Sequence, residues 1–201
     1  MSKQNGRHTA YLVLLDVLER GAWAQFSLAE LSERQDLPPR ERQLASALVY
    51  KTLENYTGLR YRLEQRMTRK WKKLDPEVRC SLLLGLSQIL YFDRIPDSAA
   101  VNEAVRIVQQ AGKRSASGFV NGVLRGLIRE PEELPSARPD LHYGISPWLW
   151  LQLKLSLDQE EAARFMEAVN EPQPLAIRIN RLHAPHASDV EEVLADLEAN
   201  G

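Results

Sequence analysis

The chain has 201 residues, of which 44% are hydrophobic and 26% are charged, the averages of a globular protein, so global disorder is excluded. No stretch approaches the roughly 20 apolar residues that a membrane span requires, and the first residues lack the apolar run of a secretory signal, which predicts a cytoplasmic protein with no membrane contact. A single cysteine, Cys80, excludes an internal disulfide, and the four scattered histidines make a structural zinc or other metal site improbable.

The net charge of −1 conceals an asymmetry along the chain. Residues 1–131 hold 21 basic and 14 acidic residues, a net charge of +7, whereas residues 132–201 hold 5 and 13, a net charge of −8. Such a difference points to an anionic partner for the basic part. The alternative is that the arginines only form a solvated face, and charge by itself does not decide between the two.

Apolar spacing predicts helices throughout the first 130 residues. The first carries Tyr11 and Leu18 and ends at Gly21, a short helical turn follows at 27–31, and longer helices cover about 40–55 and 59–68. Asp75 followed by Pro76 is a clear start signal for a helix to about residue 91, with Asp75 as the N-cap. Its leucines point to nearly every side, which predicts the central helix of a bundle. Helices around 101–108, ended by Gly112, and 119–128 complete this part.

A proline-rich stretch interrupts the helices after residue 130. We therefore predict a helical domain at 1–131, a linker at 132–145 and a second unit at 146–201. The second unit begins with Ser146 as a cap and Pro147 at the first helical position. It continues with a helix at about 159–170, a short strand at 175–179 and a helix capped by Ser188. A lone strand cannot satisfy its own backbone, so this small α/β segment reads as the front of a larger domain. The fold class is mainly α.

Catalytic signatures are absent from the sequence: it contains no glycine-rich dinucleotide or phosphate loop and no nucleophile elbow. Cys80 lies among leucines of the central helix, where burial suppresses the thiolate, so we expect it to pack rather than react. We assign no catalytic, cofactor-binding or metal-binding residue to this chain.

Basic residues concentrate in two groups. The first follows the predicted 59–68 helix, includes Tyr61 and Trp71 among the cations, and comprises Arg60, Arg62, Arg66, Arg69, Lys70, Lys72 and Lys73. Cations bind phosphates, and exposed aromatic rings stack on unpaired bases. The second group surrounds the helix that begins near Ser115 and comprises Lys113, Arg114, Arg125 and Arg129. The alternative is that Trp71 packs inward and the lysines stay in water.

Three motifs resemble the NusB family: RERQLA with LVY at 40–50, DRIP with AVNEAV at 93–105, and GFVNGVLR at 118–125. NusB-like domains are helical bundles that bind RNA, as the free antitermination factor or as the front domain of the ribosomal RNA small subunit methyltransferase B (Sun/Fmu) group. SPWL at 146–149 and NEPQPLAIRIN at 170–180 resemble the segment that joins that front domain to the methyltransferase domain, which favours the second group.

The resemblance implies that the parent protein transfers a methyl group from S-adenosylmethionine to carbon 5 of a cytosine in small-subunit ribosomal RNA. The glycine loop and the two catalytic cysteines of such enzymes have no counterpart here, so this chain should bind RNA without methylating it. As an RNA-binding set we predict Arg7, Arg42, Arg66, Arg69, Lys70, Lys72, Lys113, Arg114, Phe119, Asn121 and Arg125. Arg7, Phe119 and Asn121 enter by the resemblance, although Phe119 and Asn121 could equally have structural roles.

Two further readings stay open. The module could be an adaptor that binds a protein, as the antitermination factor does with a ribosomal protein. Alternatively, the basic domain could dock on its own methyltransferase domain, so that some arginines are interdomain contacts.

Overall fold

The computed structural model describes residues 5–171 and the single residue 195. Between residues 5 and 171, ten α-helices follow one another in the order α1 Gly6–Arg20, α2 Ala24–Arg34, α3 Pro39–Glu54, α4 Tyr56–Arg66, α5 Pro76–Tyr91, α6 Asp97–Gln110, α7 Ser117–Arg129, α8 Pro139–His142, α9 Pro147–Ser156 and α10 Gln159–Asn170. Short 3-10 turns at Trp71–Lys73 and Arg114–Ala116 precede α5 and α7. The described residues contain no strand, which confirms the all-helical prediction for this part. The predicted strand at 175–179 and the helix after Ser188 lie outside the described range.

Helix α5 is the centre of the bundle, as its leucines predict. All of its residues from 81 to 88 are buried. One side, with Cys80 and Leu84, packs among the helices α1, α2, α3 and α6. Another, with Leu82 and Leu86, packs among α4, α6 and α7. The bundle therefore has two apolar clusters, and both include residues of α5 and α6.

The start of α5 differs in one detail from the sequence prediction. Pro76 occupies the first helical position as expected, but the Asp75 side chain makes no capping hydrogen bond to the helix. Its carboxylate instead lies 3.0 Å from Nζ of Lys113, which follows α6. Asp75 therefore occupies the predicted N-cap position, but its carboxylate pairs with a distant lysine and makes no capping hydrogen bond.

The segment predicted as a linker packs on α4. Nε of Arg62 donates a hydrogen bond to the Glu132 carbonyl at 2.9 Å, and Leu141 is 7% exposed. Gly144 has a φ of +70°, and a Cβ there would overlap the carbonyl oxygen of Glu54. Only glycine tolerates both the left-handed backbone and this approach. Residues 132–144 are thus held against the bundle.

The chain forms two compact units, residues 1–167 and residues 168–201. Within the first unit, Trp150 of α9 and Ala162 and Met166 of α10 form a small third cluster. Ser146 caps α9 as predicted, since its Oγ accepts a hydrogen bond from the Leu149 amide at 3.2 Å. Within residues 5–171, no helix is both long and apolar enough to cross a membrane.

Candidate RNA interface

The loop between α4 and α5 presents four cations to solvent. Arg69, Lys70, Lys72 and Lys73 are all exposed, and their order along the chain alternates with buried anchors. Trp71 is 5% exposed and Leu74 is 6% exposed, and both belong to the apolar cluster around α5. The loop is held by its apolar residues, so its charged side chains can only point outward.

Trp71 is consequently not a stacking platform for bases, and the part of the alternative in which Trp71 packs inward is confirmed. The guanidinium of Arg60 lies 5.8 Å from the centre of the Trp71 ring, at a distance typical of cation–π contact. Tyr61 is half-buried. Trp71 faces inward because its ring packs in the apolar cluster formed by α4, α5, α6 and α7.

Two depressions adjoin this loop. We name the first the loop groove; its volume is about 390 Å³, and it is lined by Arg60, Glu64, Met67, Thr68, Arg69, Lys70, Trp71 and Lys72. We name the second the helix cleft; its volume is about 350 Å³, and it is lined by Arg69, Lys73, Leu74, Asp75, Val78, Ser115, Ala116 and Phe119. Arg69 lines both, so the two depressions are neighbours, and the basic residues in them come from α4 and the loop.

Phe119 enters this surface from α7. The ring is half-buried and packs against the central apolar cluster while one part of it lines the helix cleft. Leu74 and Val78, which are nearly fully buried, continue the apolar floor. Phe119 therefore has the structural role that the sequence allowed, and part of its ring stays accessible; its contact with RNA stays a prediction.

Lys113 is paired with Asp75, which lines the helix cleft, but does not line the cleft itself. Its Nζ lies 3.0 Å from Oδ2 of Asp75 and 3.9 Å from Oε2 of Glu77. The hydrogen bond to Asp75, with the charge of Glu77, raises the pKa of the Lys113 ammonium group. An anion that binds Lys113 must compete with two carboxylates, so this lysine is a weaker phosphate ligand than its position suggests.

Arg66 at the end of α4 contacts the end of α7. Its Nη2 lies 2.7 Å from Oε2 of Glu130, and a Cβ at Gly126 of α7 would come within 2.7 Å of its Nε. The guanidinium thus lies along α7 with 27% of the side chain exposed. Arg66 lines neither the loop groove nor the helix cleft.

The remaining predicted contacts are dispersed. Nε of Arg7 donates to Oε1 of Gln88 at 2.8 Å, which fixes it between α1 and α5. Arg42 is exposed on the first turn of α3, and Arg114 lines a separate depression with Arg106. On α7, Nε of Arg125 donates to Oδ1 of Asn121 at 2.9 Å. None of these five residues lines the loop groove or the helix cleft.

Two cations of the interface fall outside the predicted RNA-binding set. Lys73 faces the helix cleft and Arg60 the loop groove. Both belong to the basic run at 60–73, so the local density of positive charge could have identified them. Ser115 and Ala116 are uncharged, so charge density could not identify them. They line the helix cleft because the fold places them near Leu74.

The sequence matches the NusB family over residues 4–129. This chain belongs to the NusB family. It is also similar to the probable ribosomal RNA small subunit methyltransferase B of Bacillus subtilis (strain 168), with 30% identity over 98% of the chain and 45% of that protein. The corresponding protein of Synechocystis is 29% identical over 96% of the chain and 44% of its own length. The chain thus spans a little less than half the length of these curated relatives.

Solved structures support the same fold. The crystal structure of antitermination factors NusB and NusE in complex with dsRNA superposes with a TM-score of 0.58 and 22% identity, over 62% of this chain and 93% of that one. The crystal structure of PH0851 covers 99% of this chain and 45% of its own, with a TM-score of 0.65 and 18% identity. The NusB-like helical fold predicted from the three motifs is confirmed.

Proposed function

We propose that this NusB-family chain binds RNA through the loop between α4 and α5 and the start of α7. The observation that carries the proposal is the set of exposed cations at 69–73, held outward by the buried Trp71 and Leu74 and continuous with the cleft at Phe119. Cations on a fixed scaffold contact phosphates and position an RNA, while an apolar surface beside them suits a base.

We further propose that the RNA is small-subunit ribosomal RNA and that the chain serves a methyltransferase that modifies carbon 5 of a cytosine. Support comes from the similarity to curated small-subunit methyltransferases over nearly the whole chain. S-adenosylmethionine would be the methyl donor. No residue between 5 and 171 is assigned to it, since the described grooves offer cations and carboxylates rather than a glycine-rich turn after a strand.

The location of the interface is tested by a triple variant, R69A/K70A/K72A, in the full chain. The matched control is R34A/R94A/R164A, which removes three exposed arginines on α2, in the α5–α6 turn and on α10. Fluorescence anisotropy with a labelled fragment of small-subunit ribosomal RNA should show a loss of more than tenfold in affinity for the first variant at 50 mM salt. The control should lose only the small part due to net charge. Equal losses would contradict the location.

A second candidate function, a protein adaptor, is favoured by one observation. Trp23 and Phe26, at the start of α2, are 77% and 64% exposed. Large exposed aromatic side chains are enriched in protein interfaces. A stable complex with a ribosomal protein, lost on W23S/F26S, together with no affinity for RNA would establish the adaptor in place of the RNA-binding function.

A contact with a methyltransferase domain is proposed for α9, where Trp148 and Leu155 are 68% and 73% exposed. Its support is that the curated relatives are about twice as long as the region matched. The L155C variant tests this contact when the label on the peptide that contains residue 155 is quantified by mass spectrometry, because Cys80 of this chain is buried and any cysteine of an extended protein is then counted separately. Residue 155 should react rapidly with a maleimide in this chain and slowly in a protein extended to the relatives' length. Equal rates would contradict the contact.

A further inference from the structure

Arg60 is held on two sides within the loop groove. Its Nε and Nη2 donate hydrogen bonds of 3.1 and 3.0 Å to Oε1 of Glu64, one turn further along α4. Its guanidinium also lies over the buried ring of Trp71, 5.8 Å from the ring centre. The side chain is nevertheless 36% exposed and lines the groove. A planar group is therefore held at the groove before any ligand binds.

The Glu64 partner makes Arg60 a poor ligand for a phosphate. The carboxylate neutralises the guanidinium charge, is itself 36% exposed and lines the same groove. A phosphate that approached Arg60 would therefore be repelled by a directly paired negative charge. The exposed cations of the groove, Arg69, Lys70 and Lys72, lie on the loop instead. Phosphate contacts thus belong to the loop, and Arg60 offers a planar surface.

The remaining lining of the loop groove suits a flat, uncharged group. Most of its exposed surface is apolar. Met67 is half-buried there, and Trp71, which is 5% exposed, contributes a small part of its ring. Nucleobases stack on the guanidinium planes of arginines, and a thioether makes favourable contacts with aromatic rings. A nucleobase therefore fits the chemistry of this groove.

We infer that the loop groove binds one unpaired nucleobase, which stacks on the guanidinium of Arg60 while the flanking phosphates contact the cations of the loop. The bases of a duplex are already stacked on one another and cannot enter the groove, so the preferred ligand is single-stranded RNA. The Trp71 ring lies beneath Arg60 and does not touch the base, and the hydrogen bonds to Glu64 hold the guanidinium without it. This inference rests on the proposed RNA-binding function and specifies its substrate class.

Two RNAs test the substrate class in the full chain: an unstructured single strand, and the duplex that this strand forms with its complement. Since one stacked base changes affinity by roughly fivefold or more, fluorescence anisotropy should show at least about fivefold tighter binding of the single strand. Equal affinities, or tighter binding of the duplex, would overturn the inference and leave the proposed function standing. Absence of binding to both RNAs would instead overturn the proposed function.

The R60K variant separates the guanidinium plane from its charge. Lysine keeps the positive charge and can still pair with Glu64, but it has no planar group. The matched control R20K makes the same change at an arginine of α1 that pairs with Asp16 and lines neither depression.

R60K should weaken binding of the single strand by about fivefold or more and binding of the duplex by less than about twofold. The salt dependence should stay the same because the charge is kept, and R20K should affect neither RNA. An R60K variant with unchanged affinity for the single strand, or with equal losses for the two RNAs, would overturn the inference. A urea titration verifies that each variant is folded.

Photocrosslinking locates the base. When 4-thiouridine replaces uridine in the single strand, irradiation of the complex should join it to the peptide that contains Met67, as identified by mass spectrometry. R60K should lower the yield of this crosslink at saturating RNA, whereas R20K should not. Crosslinking only to the peptide that contains Ser115 and Phe119 would overturn the inference.

Discussion

The Trp71 side chain offers a sharp test of how the basic loop is held. With 5% exposure in the cluster of α4, α5 and α7, truncation to alanine should cost about 3–5 kcal/mol in the free energy of unfolding, the range for buried large-to-small changes of this kind. The W71F variant keeps most of the packing and should cost less. Urea denaturation followed by circular dichroism measures both values.

RNA affinity separates an anchoring role for Trp71 from a stacking role. The W71L variant removes the aromatic ring and keeps an apolar side chain. In a temperature range where W71L is fully folded, its affinity should be within about twofold of the wild type, since loss of base stacking of the usual strength would change affinity by fivefold or more. The reasoning is refuted if W71A unfolds at the wild-type urea concentration while losing RNA affinity. That result would mean that the ring is a ligand of RNA and not a part of the core.

Three further predictions follow from single contacts. D75N removes the nearer of the two carboxylates that pair with Lys113. The salt dependence of RNA binding should therefore steepen by up to one contact, a slope change of at most roughly 0.7 to 0.9; an unchanged slope would contradict a contact between Lys113 and RNA. Burial raises the pKa of the Cys80 thiol to about 12, so the native protein should react with iodoacetamide at pH 8 at least a thousandfold more slowly than the urea-unfolded chain, and comparable rates would refute its burial. G144A should destabilise the fold by about 1–2 kcal/mol from the left-handed backbone alone, and by more because the new Cβ overlaps Glu54. The control G122A, on the open face of α7, should not destabilise the fold. Equal urea midpoints for the two variants would contradict the packing of Gly144 against Glu54.

Much of the helical order could be predicted from the sequence, and the errors have local causes. The leucines of α5 and the left-handed Gly21 at the end of α1 were clear signals, and both predictions are confirmed. Helix α2 was predicted as a short turn because Trp23 provides no side-chain cap to mark its start. Helix α4 begins earlier than predicted because Asn55 ends α3 and starts α4 with no loop between them.

The candidate interface was predictable only in part. Arg69, Lys70 and Lys72 lie together because they are neighbours in the chain and the loop follows a helix end. The opposition of Phe119 to Leu74 depends on the packing of α7 against α5, which no local pattern indicates. The use of Arg66 as a brace over Gly126 is likewise a tertiary feature. Whether each of the eleven predicted residues contacts RNA stays a prediction.

The salt dependence of RNA binding tests the central claim most directly. Log affinity against log salt concentration, measured for the wild type and for R69A/K70A/K72A, should differ in slope by about 2 to 3, because each lost phosphate contact removes roughly 0.7 to 0.9. Between 50 and 200 mM salt, the wild type should therefore lose about 20- to 40-fold more affinity than the variant. Parallel lines for the two proteins would contradict phosphate binding by this loop.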